Sequence, residues 1–217
     1  MRIVSVNVGM PAPLRGGEGD VTSGIVKAPV SGSVRVGRTN LEGDGQADLT
    51  VHGGPDKAVY AYPVQHYAAW AAELARDDLV TGIFGENLTL EGIDEEGVLI
   101  GDRFRMGSAL LEVSQPRIPC FKLGIRMGDP HFLKPFLRSG RTGFYLRVVE
   151  EGRLAAGDAV ERVSRGEGGV TVREVARLFA GGDDPGAYSR AAGAPALTDG
   201  WKVRMLERAD ALRRRAR

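Results

Sequence analysis

The side chain best suited to chemistry is Cys120, which is the single cysteine of the chain and directly follows Pro119. A lone thiol forms no intrachain disulfide, so its use lies in packing, in nucleophilic attack or in metal binding. Arg117 and Lys122 stand close to it in the chain, and nearby cations favour the thiolate. Pro116 and Pro119 restrict the backbone before the thiol. A thiolate is the ligand that soft metals prefer, and a cysteine that only packs is the open alternative.

The three histidines are too scattered to form a zinc site with one cysteine. His52 precedes Gly53 and Gly54, which allow a ligand to approach the backbone closely. Its imidazole is therefore a candidate proton donor, with a structural hydrogen bond as the alternative. We interpret His66 as structural because it lies in a predicted helix, and nothing adjacent to His131 indicates a function.

The composition argues against several classes of function. The chain has 217 residues, and 29 Lys and Arg against 28 Asp and Glu give a net charge of +1. This balance gives no overall field that attracts a nucleic acid polymer or a membrane. No run approaches the roughly 18 apolar residues of a membrane span, and the strand-like N-terminus is unlike a signal peptide. One cysteine and no export signal therefore predict a cytoplasmic protein, and the basic residues 213–217 are interpreted as a solvated helix end.

The elements that position these residues are predicted to be mainly β between residues 1 and 165. The predicted strands are residues 3–8, 32–36, 58–62, 87–90, 98–106, 109–114, 144–150 and 159–163. Strands at this spacing favour a closed antiparallel or mixed β-barrel over a parallel α/β sheet. Asp44 and Asp56, which stand beside glycine and proline, are interpreted as turn formers. One helix is predicted to begin at Pro63, with an apolar face made of Val64, Tyr67, Ala68, Ala71 and Leu74.

The C-terminal residues 170–217 are predicted to form a small three-helix subdomain after a flexible linker at residues 164–169. Thr171 and Glu174 have the spacing of a capping box at the first helix, and Asp184-Pro185 begins the second. The predicted apolar stripes are Val172, Val175, Ala176 and Phe179 in the first helix and Trp201, Met205, Ala209 and Leu212 in the third. So small a bundle is not expected to fold alone. We therefore expect it to pack on the barrel or on a second subunit in a homodimer.

Five segments carry a resemblance to a known family. In chain order they are GDGQAD (43–48), VHGGPDKAV (51–59), FGENL (84–88), QPRIPC (115–120) and SGRTGFY (139–145). Together they resemble the MOSC domain, which was first named from the C-terminus of molybdenum cofactor sulfurase. The chain is most similar to the YiiM-type branch, described as proteins of 6-N-hydroxylaminopurine resistance. That branch also carries a C-terminal three-helix extension, so the resemblance covers essentially the whole chain.

The resemblance implies a β-barrel that binds a molybdopterin-type molybdenum cofactor, with Cys120 as the molybdenum ligand. It also implies that Arg117 and Lys122 contact the phosphate or the pterin. An Arg fork suits phosphate oxygens, and Lys supplies a point charge. Solvated loop charges are the alternative for both residues. The resemblance strengthens the assignment of His52 as a residue that donates protons during reduction.

Further cofactor contacts are implied by the same resemblance. Thr22, Ser23 and Lys27 are candidates for the cofactor phosphate, although a loop that enters a strand explains them equally simply. Asn87 and Thr89 are candidates for the pterin. As strand residues, these two would equally well flank the rim of a barrel.

The sequence thus predicts a molybdenum-dependent oxidoreductase that reduces N-hydroxylated compounds, with hydroxylaminopurine-type bases as the expected substrates. The chain has no cysteine cluster for iron–sulfur and no glycine fingerprint for flavin or a dinucleotide. We therefore expect a separate reductase, a flavoprotein, as the electron donor. Two alternatives are a sulfur carrier that bears a persulfide on Cys120 and a non-catalytic binding module whose helices dock a partner.

Overall fold

The fold is taken from a computed structural model that describes residues 1–16, 19–49 and 52–216. Within these ranges the strands are β1 (Arg2–Val8), β2 (Ala12–Gly16), β3 (Gly19–Ser23), β4 (Ala28–Pro29), β5 (Val34–Val36), β6 (Val59–Pro63), β7 (Leu88–Glu91), β8 (Arg103–Met106), β9 (Ala109–Pro116), β10 (Phe144–Glu150), β11 (Gly152–Leu154) and β12 (Val160–Ser164). The helices are α1 (Gln65–Leu74), α2 (Phe121–Met127), α3 (Leu133–Ser139), α4 (Val172–Ala180), α5 (Pro185–Ala192) and α6 (Asp199–Arg215). Residue 51 of the second motif and residue 217 of the basic tail lie outside the described residues.

Eight of the strands form one mixed sheet in the order β12-β8-β9-β10-β6-β7-β1-β4. β6 and β7 pair in parallel, and the other neighbours in this sheet pair antiparallel. The mainly β class with a few helices is therefore confirmed, and most predicted strands lie within two residues of an observed one. The predicted strand at residues 98–106 is too long, because Gly101 adopts a φ of 90° in a turn and β8 begins at Arg103.

The expectation of a closed barrel is wrong. The two sides of the sheet meet at an isolated bridge between Arg2 and Ala159, instead of pairing along their length. Residues 1–3 hydrogen-bond to residues 157–160 through the backbone, whereas at the other end of β1 the two residues of β4 pair with Asn7 and Val8. The pairing that would close a barrel is therefore limited to one end of β1.

The apolar face predicted for helix α1 is confirmed only in part, since Tyr67 and Leu74 pack against buried aromatic side chains but the buried face is centred on two other residues. His66 and Trp70 are its buried residues, whereas Ala68 of the predicted stripe is exposed. The polar atoms of both buried residues have partners inside the protein. His66 Nε2 lies 2.7 Å from Glu95 Oε2, and Trp70 Nε1 donates to the Tyr62 hydroxyl at 2.7 Å. The position of His66 fits the structural interpretation given from the sequence.

The C-terminal helices pack on the sheet of the same chain. Val172, Val175, Trp201 and Met205 belong to one buried apolar cluster with Leu111 of β9 and other sheet residues. The capping box of α4 is formed as its sequence predicts. Residues 164–169, which were predicted to be a flexible linker, are hydrogen-bonded to the main domain. The Gly166 N–H donates to Oδ1 of Asp102, the residue before β8, at 2.8 Å.

A second buried cluster, rich in aromatic side chains, lies beside α1, α2 and α3. Its largest members are Tyr60, Tyr62, Trp70, Phe84, Phe132 and Phe136. This cluster supports the loop that leads from β9 into α2. None of the helices in the described ranges has the length and apolarity needed to cross a membrane.

Candidate functional site

Cys120 lies at the junction between the end of β9 and the start of α2. All eight residues of β9 are buried, so the strand is a rigid support for the three residues that follow it. The Arg117 N–H donates to the Gly143 carbonyl at 3.2 Å, which ties the loop to the residue that precedes β10. Cys120 itself is a free, half-buried thiol. It is neither sealed in the core nor fully in solvent.

The thiol opens onto a cavity of about 100 Å³ that several distant segments of the chain line together. Seven of the residues chosen from the sequence line it, namely Ser23, Lys27, His52, Asn87, Arg117, Cys120 and Lys122. Glycines bring the loops of this wall close together. A Cβ atom at Gly24 would lie 2.1 Å from the Gly45 carbonyl oxygen, so only glycine fits there.

The surroundings of Cys120 favour the thiolate. Burial raises the pKa of the thiol. Hydrogen bonds from His52 and from the Lys122 backbone N–H, together with the charge of Arg117, lower the pKa by more than burial raises it. The resulting pKa is about 7, compared with an ordinary value of 9. A large fraction of the sulfur is therefore ionised near neutral pH, which is the form that binds metals and attacks electrophiles.

Arg117 is a buried cation without a carboxylate partner. Only 5% of the residue is exposed, and within residues 1–16, 19–49 and 52–216 it forms no ion pair. Its guanidinium lies 5.1 Å from the ring centroid of Tyr60 and 5.4 Å from that of Phe136. The Nη1 atom is buried and has no hydrogen-bond partner among the described residues. Such an atom is costly to leave unpaired, and an anion in the cavity would satisfy it.

Lys27 lines the same cavity but already has a partner. Its ammonium pairs with Asp44, and the two side chains are 7% and 0% exposed. Asp44 also accepts hydrogen bonds from the Gly9 N–H at 2.9 Å and from Asn87 Nδ2 at 2.9 Å. The interpretation of Asp44 as a turn former was therefore incomplete. Its carboxylate joins three other segments of the chain at the cavity wall. Asn87 lines the cavity, and its Oδ1 also accepts from the Tyr60 N–H at 3.0 Å.

Two residues chosen from the sequence do not line the cavity. Thr22 is exposed and pairs with Pro13 in the β2–β3 hairpin. Thr89 is completely buried, and its hydroxyl donates to Glu86 Oε1 at 2.9 Å and accepts from Asn7 Nδ2 at 3.2 Å. Strand alternation explains the result for Thr22, because Thr22 and the cavity-lining Ser23 are neighbours in β3 and point to opposite faces. The structure thus gives no support to cofactor contacts by Thr22 or Thr89.

Sequence reasoning missed several residues of the cavity wall. Tyr60, Tyr145 and Lys57 line it in addition to Asp44. Burial raises the pKa of the Tyr145 hydroxyl, although Arg117 acts in the opposite direction, so the phenol stays protonated beside the thiolate. Burial lowers the pKa of Lys57, and Asp56 partly offsets this effect. Tyr145 stands in the last of the five motifs, which was the available signal.

The residues present fit an anionic group that carries a soft metal. The cavity offers one thiolate, and His52 Nδ1 and Arg117 Nη1 are buried there without a hydrogen-bond partner in the described part of the chain. No cluster of three or more His, Cys, Asp or Glu side chains in that part could hold a metal ion by itself. A metal at Cys120 would therefore take its remaining ligands from a cofactor rather than from the protein.

Comparisons with known proteins identify the family of the chain. A sequence profile described as the MOSC domain matches residues 48–161. The uncharacterized protein YflK of Bacillus subtilis (strain 168) is 42% identical over 211 residues, which are 97% of this chain and 95% of that protein. A protein named Reductase from Gibberella moniliformis (strain M3125 / FGSC 7600) is 41% identical over 150 residues, which are 68% of this chain and 27% of that protein. The crystal structure of YiiM from Geobacillus stearothermophilus has a TM-score of 0.80 and 35% identity, covering 96% of this chain and 98% of that chain.

Proposed function

Because the chain belongs to the MOSC domain family and is of the YiiM type, we propose that it is a molybdenum-cofactor-dependent reductase of N-hydroxylated compounds. The observation that carries this proposal is the half-buried thiol of Cys120, whose pKa is lowered to about 7, beside the unpaired cation of Arg117 in one cavity. The relative named Reductase supports an oxidoreductase activity for this part of the chain.

Different residues of the cavity would bind different parts of such a cofactor. Cys120 would hold the molybdenum through its thiolate, and Arg117 and Lys122 would bind the anionic part of the cofactor by charge and hydrogen bonds. Lys27 would support the wall through its pair with Asp44. When bound, the cofactor supplies the two-electron chemistry that an amino acid side chain cannot perform.

The reaction is a two-electron reduction, in which R–NHOH, two electrons and two protons give R–NH₂ and water. The N–O bond breaks and its oxygen leaves as water. His52 would deliver a proton to that oxygen, because it lines the cavity beside Cys120 and contacts the thiol through a hydrogen bond. The electrons come from a separate reductase, a flavoprotein in our proposal, and the reducing cytoplasm would keep the thiol free.

The test replaces Cys120 by serine in protein produced in a host that makes the cofactor. We expect the rate of reduction of 6-N-hydroxylaminopurine, driven by reduced methyl viologen, to fall by more than about a hundredfold. Loss of a residue that only orients a metal ligand costs about 10- to 100-fold, and loss of the ligand itself should cost more. Bound molybdenum and pterin should fall with it, while the melting temperature stays close to that of the wild type. A matched control, Thr22→Val, changes an exposed hydroxyl outside the cavity and should keep full activity.

Two results would contradict the proposal. A fully active Cys120→Ser variant would remove the thiolate from the mechanism. A wild-type protein that binds no molybdenum but carries a labile extra sulfur on Cys120, detected by mass spectrometry, would instead indicate a sulfur carrier.

A further inference from the structure

Glu95 is a buried carboxylate outside the cavity. It lies in the loop that follows β7, and 1% of the residue is exposed. Its Oε1 atom accepts a hydrogen bond from the Gly143 N–H at 2.7 Å, and its Oε2 atom lies 2.7 Å from His66 Nε2. We propose that Glu95 is a positioning residue, which fixes residues 142–143 and thereby keeps the Arg117 guanidinium directed into the cavity. This inference rests on the proposed function, which assigns Arg117 to the anionic part of the cofactor.

Two consecutive residues connect Glu95 to Arg117. The Gly143 N–H is bonded to Glu95, and the Gly143 carbonyl accepts from the Arg117 N–H at 3.2 Å. The Thr142 carbonyl accepts from the Tyr60 hydroxyl at 2.7 Å, and the Tyr60 ring is the one that lies 5.1 Å from the guanidinium. These two residues therefore fix both the backbone of Arg117 and one of the rings against which its side chain packs.

The surroundings of Gly143 leave little room for another arrangement. Its φ is 67°, and a Cβ atom there would lie 2.4 Å from the Ala61 carbonyl oxygen, so only glycine fits. Thr142 beside it is completely buried. A buried N–H that loses its acceptor is costly. We therefore expect residues 142–143 to move when Glu95 is removed.

Helix α1 holds the carboxylate from the other side. His66 lies in the first turn of this helix and is 8% exposed. Its ring also packs edge-on against Tyr62 at 5.5 Å between centroids, and the Tyr62 hydroxyl donates to the Arg141 carbonyl at 3.1 Å. Side chains locked by packing and hydrogen bonds are what keep a binding group in place. The structural role of His66 thus extends, through Glu95, to the cavity wall.

The test replaces Glu95 by alanine in cofactor-free protein and measures the Kd of inorganic phosphate by calorimetric titration. We expect the Kd to rise by about tenfold or more, which corresponds to about 1.4 kcal/mol, because the Arg117 guanidinium is no longer held towards the cavity. The conservative variant Glu95→Gln offers an oxygen to the Gly143 N–H and an N–H to His66. Its Kd should therefore stay within about threefold of that of the wild type.

The matched control is Asp102→Ala. Asp102 is also a buried carboxylate, it accepts the Leu99 N–H at 3.1 Å and the Gly166 N–H at 2.8 Å, and it lies 3.2 Å from the Arg162 guanidinium. It does not line the cavity. Asp102→Ala should lower the melting temperature to a similar extent as Glu95→Ala, but its Kd for phosphate should stay within about twofold of that of the wild type.

The ionisation of Cys120 gives a second readout that needs no anion. The charge of Arg117 lowers the pKa of this thiol, so the pH midpoint of its alkylation by iodoacetamide should rise in Glu95→Ala. Loss of a negative charge would by itself lower that pKa, so a rise cannot come from the missing carboxylate. The rise should be absent when Glu95→Ala is combined with Arg117→Met. A general loosening of the loop would also weaken the hydrogen bond from His52 and would raise the midpoint in either background.

The inference is wrong if a folded Glu95→Ala variant keeps both the phosphate Kd and the alkylation midpoint of the wild type. It is equally wrong if Asp102→Ala weakens phosphate binding as much, because the effect would then follow from lost stability. If the wild type binds no phosphate, the anion-binding part of the proposed function is wrong, and the alkylation midpoint decides the role of Glu95. Should Glu95→Ala not fold, Glu95→Asp gives the same decision, because it keeps the charge but is one methylene too short to reach both Gly143 and His66.

Discussion

Two walls of the cavity each bury a cation, and the two cations have different surroundings. In the wall formed by the N-terminal loops, Lys27 is paired with Asp44, whose side chain is completely buried. In the wall that follows β9, Arg117 is surrounded by aromatic rings and its Nη1 atom has no hydrogen-bond partner in the described residues. Burying a charge is costly unless it is paired. Lys27 therefore has its partner within the protein, whereas we propose that Arg117 binds an anion that enters the cavity from outside.

The largest effect on stability is expected from replacing Lys27, and this substitution is the strongest test of the difference between the two cations. Lys27→Met leaves the buried Asp44 carboxylate without its cation, and breaking a buried pair in this way costs about 3–5 kcal/mol. We expect the free energy of unfolding, measured by urea denaturation, to fall by that amount. The double variant Lys27→Met/Asp44→Asn should recover part of the loss because the uncompensated charge is gone. A Lys27→Met protein as stable as the wild type would show that the pair does not stabilise this wall.

Replacing Arg117 should change anion binding rather than the free energy of unfolding. Arg117→Met removes a charge with no carboxylate partner, so its free energy of unfolding should stay within about 1 kcal/mol of the wild type, the scale of one lost hydrogen bond. Inorganic phosphate at about 100 times its Kd should stabilise the wild type by about 2.7 kcal/mol, and Arg117→Met should lose this stabilisation in a thermal melt.

The control for this experiment is Thr22→Val, which should keep the full response to phosphate because Thr22 lies outside the cavity. A response that disappears in a folded Lys27 variant and persists in Arg117→Met would reverse the assignment of the two cations.

The smallest expected effect is on the ionisation of Cys120, which lies in the same wall as Arg117. Because Cys120 is the only cysteine, the rate of alkylation by iodoacetamide reports its ionisation in cofactor-free protein. The rate should rise with pH around a midpoint of about 7 in the wild type. His52→Ala removes a hydrogen bond that stabilises the thiolate, so the pKa of Cys120 should rise. At pH 7 the variant should therefore react more slowly, whereas above both midpoints the two rates should converge. An unchanged midpoint would exclude His52 as a donor to the thiolate.

Elements governed by short-range rules were predictable from the sequence. The capping box of Thr171 and Glu174 and the buried stripe Trp201–Met205–Ala209 formed where their spacing placed them. The helices α2 and α3 were missed, because Gly124 and Pro135 interrupt their patterns and because both depend on packing against the aromatic cluster of Phe132 and Phe136. The face of α1 was predicted only in part, because its buried histidine has a partner, Glu95, that lies beyond the helix.

By itself the sequence predicted Cys120 as the candidate reactive residue, the family motifs around it and most strands of the main sheet, but it did not predict helix α2, which begins directly after Cys120. Only the tertiary structure decided that Asp44 pairs with Lys27, that Arg117 has no carboxylate partner among the described residues, that β1 meets residues 157–160 at one end only, and that Trp201 and Cys120 line one cleft. Propensity, capping and periodicity act over a few residues and can be read along the chain. The pairing of buried charges and the opening of a cleft depend on residues that are far apart in sequence, and their positions are fixed only when the whole core packs.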